Sequence, residues 1–177
     1  MEVGLVNMYD DLTNFKKLVK SIESLGYKPH IIDGKSSEEV YDYIKGSSIK
    51  HWIFSGSDIA IVEKGSPQVS MKLFKLNKKF MCLCYSMESV IVQLGYTLKD
   101  RKVNITENFN LDLGIVMKAQ RNHRWYFDSD AVYKKPLYPI ASYKGELMIA
   151  LYKNAVLIQF HPERSADGKK LIKAWLS

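Results

Sequence analysis

Apolar and polar positions in the first half of the chain fall into two alternating rhythms. Residues 2–8, EVGLVNM, are a short apolar run fit for a buried strand. The stretch 10–27, DDLTNFKKLVKSIESLGY, then places Leu12, Phe15, Leu18, Val19, Ile22 and Leu25 at helical spacing. Gly26 stands where a helix-ending glycine is expected. KPHIID predicts a second strand, and SSEEVYDYIKG a short helix that opens at a serine with glutamates following. KHWIFSG (50–56) predicts a third strand ending in small residues, and NKKFMCLCY (77–85) a fourth. SMESVIVQLG then reads as a helix closed by Gly95. This cadence predicts an α/β fold with an open, mostly parallel sheet flanked by helices.

The second half changes character. VNITENFNLDLGIVMKA, HRWYFDSD and PIASYKGELMIALYKNAVLIQF read as shorter, antiparallel strands joined by turns, among them Lys144-Gly145 and Lys153-Asn154. SADGKKLIKAWLS reads as a final helix. With no internal repeat, low-complexity tract or linker, residues 1–177 read as one domain, and 177 residues suit that size.

Composition narrows the setting. Two cysteines argue against a disulfide framework and for a reducing compartment. The opening MEVGLVNMYDD has an acidic second residue and no basic leader, so it reads as a strand rather than a signal peptide. No run approaches the ~20 apolar residues of a membrane span, and the expected address is the cytoplasm. A net charge of +7 raises nucleic-acid binding. The excess is lysine in scattered pairs, Lys16-Lys17, Lys78-Lys79, Lys134-Lys135 and Lys169-Lys170, which reads as a solvated surface instead. Arg121 and Arg124 beside Trp125 could stack a base, but three residues are poor evidence for that role. Two cysteines and four histidines form no clustered ligand set, so neither a metal nor another cofactor is implied.

Both cysteines lie in FMCLCYSMES, where the fourth strand meets the next helix. Open α/β sheets react at the carboxyl ends of their strands. A helix N-terminus there offers free N–H groups and partial positive charge, favouring a thiolate and an oxyanion. A nucleophile on such a turn needs small residues two before and two after it, because strand and helix approach closely. Around Cys84 these are Cys82 and Ser86; around Cys82 one would be Phe80, which does not fit. Cys84 is therefore the candidate nucleophile and Cys82 a packing residue, although a buried cysteine is more often inert.

A second constellation is IQFHPERS, residues 158–165. Proline after His161 ends strand pairing and directs the chain that follows. A histidine at a strand end with Glu163 two residues on suits a base and its orienting carboxylate. The sulfur of Cys84 is then expected within hydrogen-bond reach of a His161 ring nitrogen, more loosely without ligand.

Taken together, these stretches resemble the class I, triad-type glutamine amidotransferase domain. VLIQFHPERSADGKKLIKAWL is similar to its histidine–proline–glutamate motif and terminal helix. FMCLCYSMESVIVQLG resembles its strand–cysteine–helix elbow, and HWIFSGSDIAIVEKG its strand ending in Ser-Gly-Gly-Pro. The resemblance implies a flavodoxin-like sheet and hydrolysis of the glutamine side-chain amide by Cys84, His161 and Glu163. It also implies backbone oxyanion donors at Ser57 and Tyr85, and substrate contacts at Gly56, Glu88 and His123. His123 matches a family histidine, and reads equally well as a structural residue at a partly buried strand end. The ammonia would pass to a partner synthase, as in stand-alone amidotransferase subunits serving GMP or imidazole glycerol phosphate synthesis. With no Walker-type P-loop, ATP-dependent chemistry is expected on another chain.

The chain departs from the family at several positions. Cys82 and Ser86 replace glycines, Glu88 replaces a glutamine, and Ser57-Asp58 replaces Gly-Pro. A carboxylate at residue 88 changes the substrate environment, and Asp58 puts negative charge near a developing oxyanion. Two alternatives therefore stand beside a glutaminase: a γ-glutamyl peptide hydrolase on the same fold, and an inactive, binding or regulatory relative.

Overall fold

The computed structural model describes residues 1–132 and 135–177. Tyr133 and Lys134, the latter from one of the lysine pairs above, lie outside the described residues.

The first half is β1 (Glu2–Asn7), α1 (Leu12–Ser24), β2 (Lys28–Asp33), α2 (Ser37–Gly46), β3 (His51–Phe54), β4 (Lys79–Leu83) and α3 (Tyr85–Gln93). Local chemistry sets the boundaries. Asp11 caps α1 by accepting from the Thr13 N–H at 2.9 Å, and Gly26 follows it at φ 84°. Ser36 caps α2 through the Glu39 N–H, and Gly95 closes α3 at φ 91°.

The second half holds β5 (Lys99–Asp112), β6 (Val116–Tyr126), β7 (Tyr138–Tyr143), β8 (Glu146–Tyr152), β9 (Ala155–Ile158) and α4 (Ala166–Leu176). The main sheet runs β2-β1-β3-β4-β9-β8-β7. Its first five strands are parallel, and β8 and β7 add antiparallel. Neighbour β9 brings Leu83 level with Ile158, so the ends of β4 and β9 emerge side by side. Two motifs more than seventy residues apart in sequence meet there because a parallel sheet aligns its strand ends.

Period-2 alternation splits the core between the two faces. Phe80 and Cys82 of β4 pack with Trp52, Phe54 and the α2 and α3 residues Ile44, Met87 and Val90. Met81 and Leu83 pack with Phe15, Leu18 and Ile22 of α1 and Ile172 of α4. Cys82 thus fills a core position. The Trp52 indole lies on Gly4, where a Cβ would come within 2.2 Å of the ring. Only glycine leaves room for it.

In place of several short strands, residues 99–126 form one long hairpin, β5–β6, outside the main sheet, with a register shift between Asp100 and Ile105. Its inward face is Met117, Ala119, Arg121 and His123 in strict alternation. The two polar residues conceal that continuity in the sequence, since an inward arginine breaks the apolar pattern. Arg121 is 2% exposed. Its guanidinium donates to Glu107 at 2.8 Å and to Glu146 at 2.9 Å, and Glu146 also pairs with Arg101. This cluster ties the ribbon to β8. No described helix is long and apolar enough to cross a membrane.

Candidate active site

Cys84 is the joint between β4 and α3, with φ 49° and ψ −107°. Its N–H donates to the Ile158 carbonyl at 2.6 Å, which pins the turn to the end of β9. Ser86, two residues on, is fully buried, and small size at that position lets the helix start against the sheet. The Cys84 sulfur reaches a cavity of about 420 Å³ whose wall includes Tyr9, Ser57, Tyr85, Glu88, His123 and His161.

His161 follows β9. Its N–H donates to the Gln120 carbonyl at 2.8 Å, holding the residue against β6. Pro162 starts a 3₁₀ turn, Pro162–Arg164, that folds Glu163 back on the ring. Nδ1 of His161 lies 2.8 Å from Glu163 Oε1. Burial alone would raise the Glu163 pKa, but the imidazole's charge and hydrogen bond outweigh it and hold the carboxyl low. Nε2 is left as the ring nitrogen without a hydrogen-bond partner among the described residues.

The sulfur is in hydrogen-bond range of the Asn122 carbonyl and the Gln159 amide, each at 3.8 Å. His161 is not among its hydrogen-bond partners, so the expected thiol–imidazole contact is not made, although both residues line one cavity. Burial is the main cause that lifts the Cys84 thiol well above its ordinary pKa. The Glu88 carboxylate adds to it, and the Tyr85 N–H opposes it. The thiol is protonated at rest.

The remaining sequence-derived positions gather at the same place. Gly56 lies behind the cavity, where a Cβ would stand 2.7 Å from Tyr9 Oη and 3.1 Å from His161 Cε1. Ser57 and Asp58 line the wall. Ser57 Oγ accepts from the Ile59 N–H, and Asp58 accepts from Asn14 at 3.4 Å. Glu88 is 4% exposed and accepts from Gln159 Nε2 at 3.0 Å; burial pushes its pKa up to about 7 against that bond. His123 donates from Nδ1 to the Trp125 carbonyl at 2.7 Å. Burial, then the charges of Arg121 and Arg101, push its pKa down to about 4, so it is neutral. Among the described residues, no group of three or more His, Cys, Asp or Glu is placed to hold a metal ion.

Sequence reasoning missed Tyr9, Gln159 and Arg164, which join the site. Tyr9 follows β1 and Gln159 follows β9. Attention to every carboxyl strand end, rather than to cysteine and histidine alone, would have found both.

The family model described as glutamine amidotransferase class-I matches residues 5–175. GMP synthase (glutamine-hydrolyzing) of Bartonella henselae is 25% identical over 171 residues, covering 88% of this chain and 32% of the relative. The enzyme of the same name from Carboxydothermus hydrogenoformans is 26% identical over 136 residues, covering 70% and 27%. The chain thus spans about a third or less of the curated relatives' length. A putative GMP synthase subunit from Thermoplasma acidophilum superposes with a TM-score of 0.74 at 12% identity, covering 99% of this chain and 92% of that one. PurLQS of Thermotoga maritima gives 0.74 at 14%, covering 99% and 97%. At those identities the likeness is one of fold. With nearly its whole length inside the family model, the chain belongs to the class-I glutamine amidotransferases.

Proposed function

We propose that this protein is a glutaminase that hydrolyses the glutamine side-chain amide through a cysteine thioester and delivers ammonia to a partner synthase. One observation carries the reading: Cys84, on a strained strand–helix turn, shares a cavity with an imidazole whose far nitrogen is held by a buried carboxylate.

Because the thiol is protonated at rest, attack and deprotonation go together. His161 Nε2 takes the proton as Sγ bonds to the amide carbon, while Glu163 fixes the tautomer and stabilises the imidazolium. The N–H groups of Ser57 and Tyr85 receive the developing oxyanion, each such donor typically being worth about 3–4 kcal/mol of barrier. Collapse breaks the carbon–nitrogen bond, and His161 returns the proton to the departing nitrogen as ammonia. Water then hydrolyses the thioester, releasing glutamate and regenerating the thiol. Glu88 and His123 line the substrate's place, and Gly56 behind it admits the His161 ring. Two free cysteines suit the reducing cytoplasm.

The test is ammonia release from glutamine by the wild type and Cys84→Ala, with mass-spectrometric mapping of labelling by a glutamine-like diazo-ketone. Release abolished in Cys84→Ala, with label on Cys84, supports the reading. Release that survives the substitution, or a wild type that neither releases ammonia nor takes label, overturns it. Glu88, a buried carboxylate beside the sulfur, favours a second reading, hydrolysis of γ-glutamyl peptides by the same steps.

A further inference from the structure

One cavity wall is a side chain with no part in the steps above. Tyr9 follows β1 and is 4% exposed. Its backbone is fixed on both sides of the peptide: its N–H donates to Asn7 Oδ1 at 3.0 Å, and the Met8 N–H donates to Ser55 Oγ at 2.9 Å. Burial and the negative charges nearby keep the phenol neutral. Among the described residues its hydroxyl has no hydrogen-bond partner, and the residue lines the cavity.

That hydroxyl packs against Gly56. Tyr9 Oη lies 2.7 Å, and His161 Cε1 3.1 Å, from the one point that a Cβ on Gly56 would occupy. Phenol and imidazole therefore both approach the same glycine, the phenol by its hydroxyl and the ring by Cε1. Cε1 is bonded to Nε2. Since Glu163 holds Nδ1, Nε2 is the nitrogen that must reach the departing group. Tyr9 lines the same cavity as Cys84 and His161 and approaches the glycine that His161 Cε1 also approaches.

We infer that Tyr9 restricts the reaction to primary amides, its ring filling the space that a substituent on the departing nitrogen would need. The inference rests on the glutaminase reading and decides between its two substrate classes. As the sulfur–carbon bond forms and the carbon–nitrogen bond breaks, the nitrogen of glutamine keeps its two hydrogens and gains the thiol's proton through His161. It leaves as ammonia, small enough to pass the phenol. The nitrogen of a γ-glutamyl peptide carries the rest of an amino acid, which collides with the ring.

The test compares kcat/KM for glutamine, read as ammonia, with kcat/KM for γ-glutamyl-p-nitroanilide, read as released nitroaniline. Wild type, Tyr9→Phe, Tyr9→Leu and Tyr9→Ala are measured as full chains, with folding checked by circular dichroism. The anilide-to-glutamine ratio should rise at least tenfold in Tyr9→Ala and Tyr9→Leu and keep its wild-type value in Tyr9→Phe. Tyr9→Leu retains most of the buried volume and reads the ratio if the alanine variant does not fold. An unchanged ratio in a folded leucine or alanine variant overturns the assignment, as does a wild type that cleaves the anilide as well as glutamine. Wild-type ammonia release with Cys84 labelling separates the two failures. If both are missing, the glutaminase reading falls and Tyr9 with it; if both are present with an unmoved ratio, only Tyr9's role falls.

Discussion

Ser86 Oγ donates a 2.6 Å hydrogen bond to the backbone carbonyl of Ser55. The bond joins the first turn of α3 to the chain that leads into Gly56 and Ser57. Ser55 is itself tied back, its N–H to the Val6 carbonyl and its hydroxyl to the Gly56 carbonyl at 2.8 Å. The hydroxyl at residue 86 therefore braces the proposed nucleophile and the proposed oxyanion loop against each other. Ser86→Ala should cost about 1–3 kcal/mol by leaving the buried Ser55 carbonyl short of a donor. It should also lower kcat for glutamine at least tenfold, as urea melts and ammonia release together would show.

Glu163 is buried behind His161 and bonds Nδ1, the ring nitrogen that faces away from the chemistry, with Arg164 Nε 3.7 Å from the same carboxylate oxygen. Glu163→Gln keeps the shape but favours the wrong tautomer. A fall in kcat on the order of 10²–10⁴ is expected, with KM for glutamine little changed. Steady-state kinetics check this, and an unchanged kcat would remove Glu163 from the triad.

Glu88 gives a pH signature. Its pKa rises from the ordinary 4.5 to about 7 in the folded protein. Between those values the folded form holds a proton that the unfolded form has released. Its contribution to stability therefore declines as pH rises through that window, and above about 7 the burial cost is complete, roughly 3 kcal/mol. Glu88→Gln has nothing to ionise. Its melting temperature should exceed the wild type's by several degrees more at pH 8 than at pH 5, as thermal melts at both pH values would read.

Arg121 is the buried cation that holds Glu107 and Glu146. Arg121→Met leaves Glu146 to Arg101 alone and takes from the half-buried Glu107 its nearest cation, and should cost about 1.5–3 kcal/mol. Adding Glu146→Gln removes one of those charges, so the double variant should recover part of the loss. A double-mutant cycle by chemical denaturation gives the coupling, and strict additivity would rule the pair out as a unit.

The legibility of the chain follows from which of its signals are local. The helices at 12–24 and 166–176 announced themselves through spacing and caps, and Cys84 was told from Cys82 by the size of the residue two positions before. The meeting of residues 84 and 161 could be argued because parallel strands end on one edge. Arg121 could not be read, since a charged residue in a strand ordinarily faces water and its partners Glu107 and Glu146 come from other strands. Tyr9 was hidden for a similar reason. A tyrosine after a strand is common, and only the folded backbone of Gly56 shows what stands beside it.

The φ of 49° at Cys84 bears on how this position can vary. A side chain in that left-handed region costs about 1–2 kcal/mol that glycine would spare. A lineage released from turning over substrate would gain thermal robustness by drifting to glycine at residue 84. Retention of a thiol there runs against that gradient, so cysteine at this one position is a sharper sign of working chemistry than any helix or strand around it.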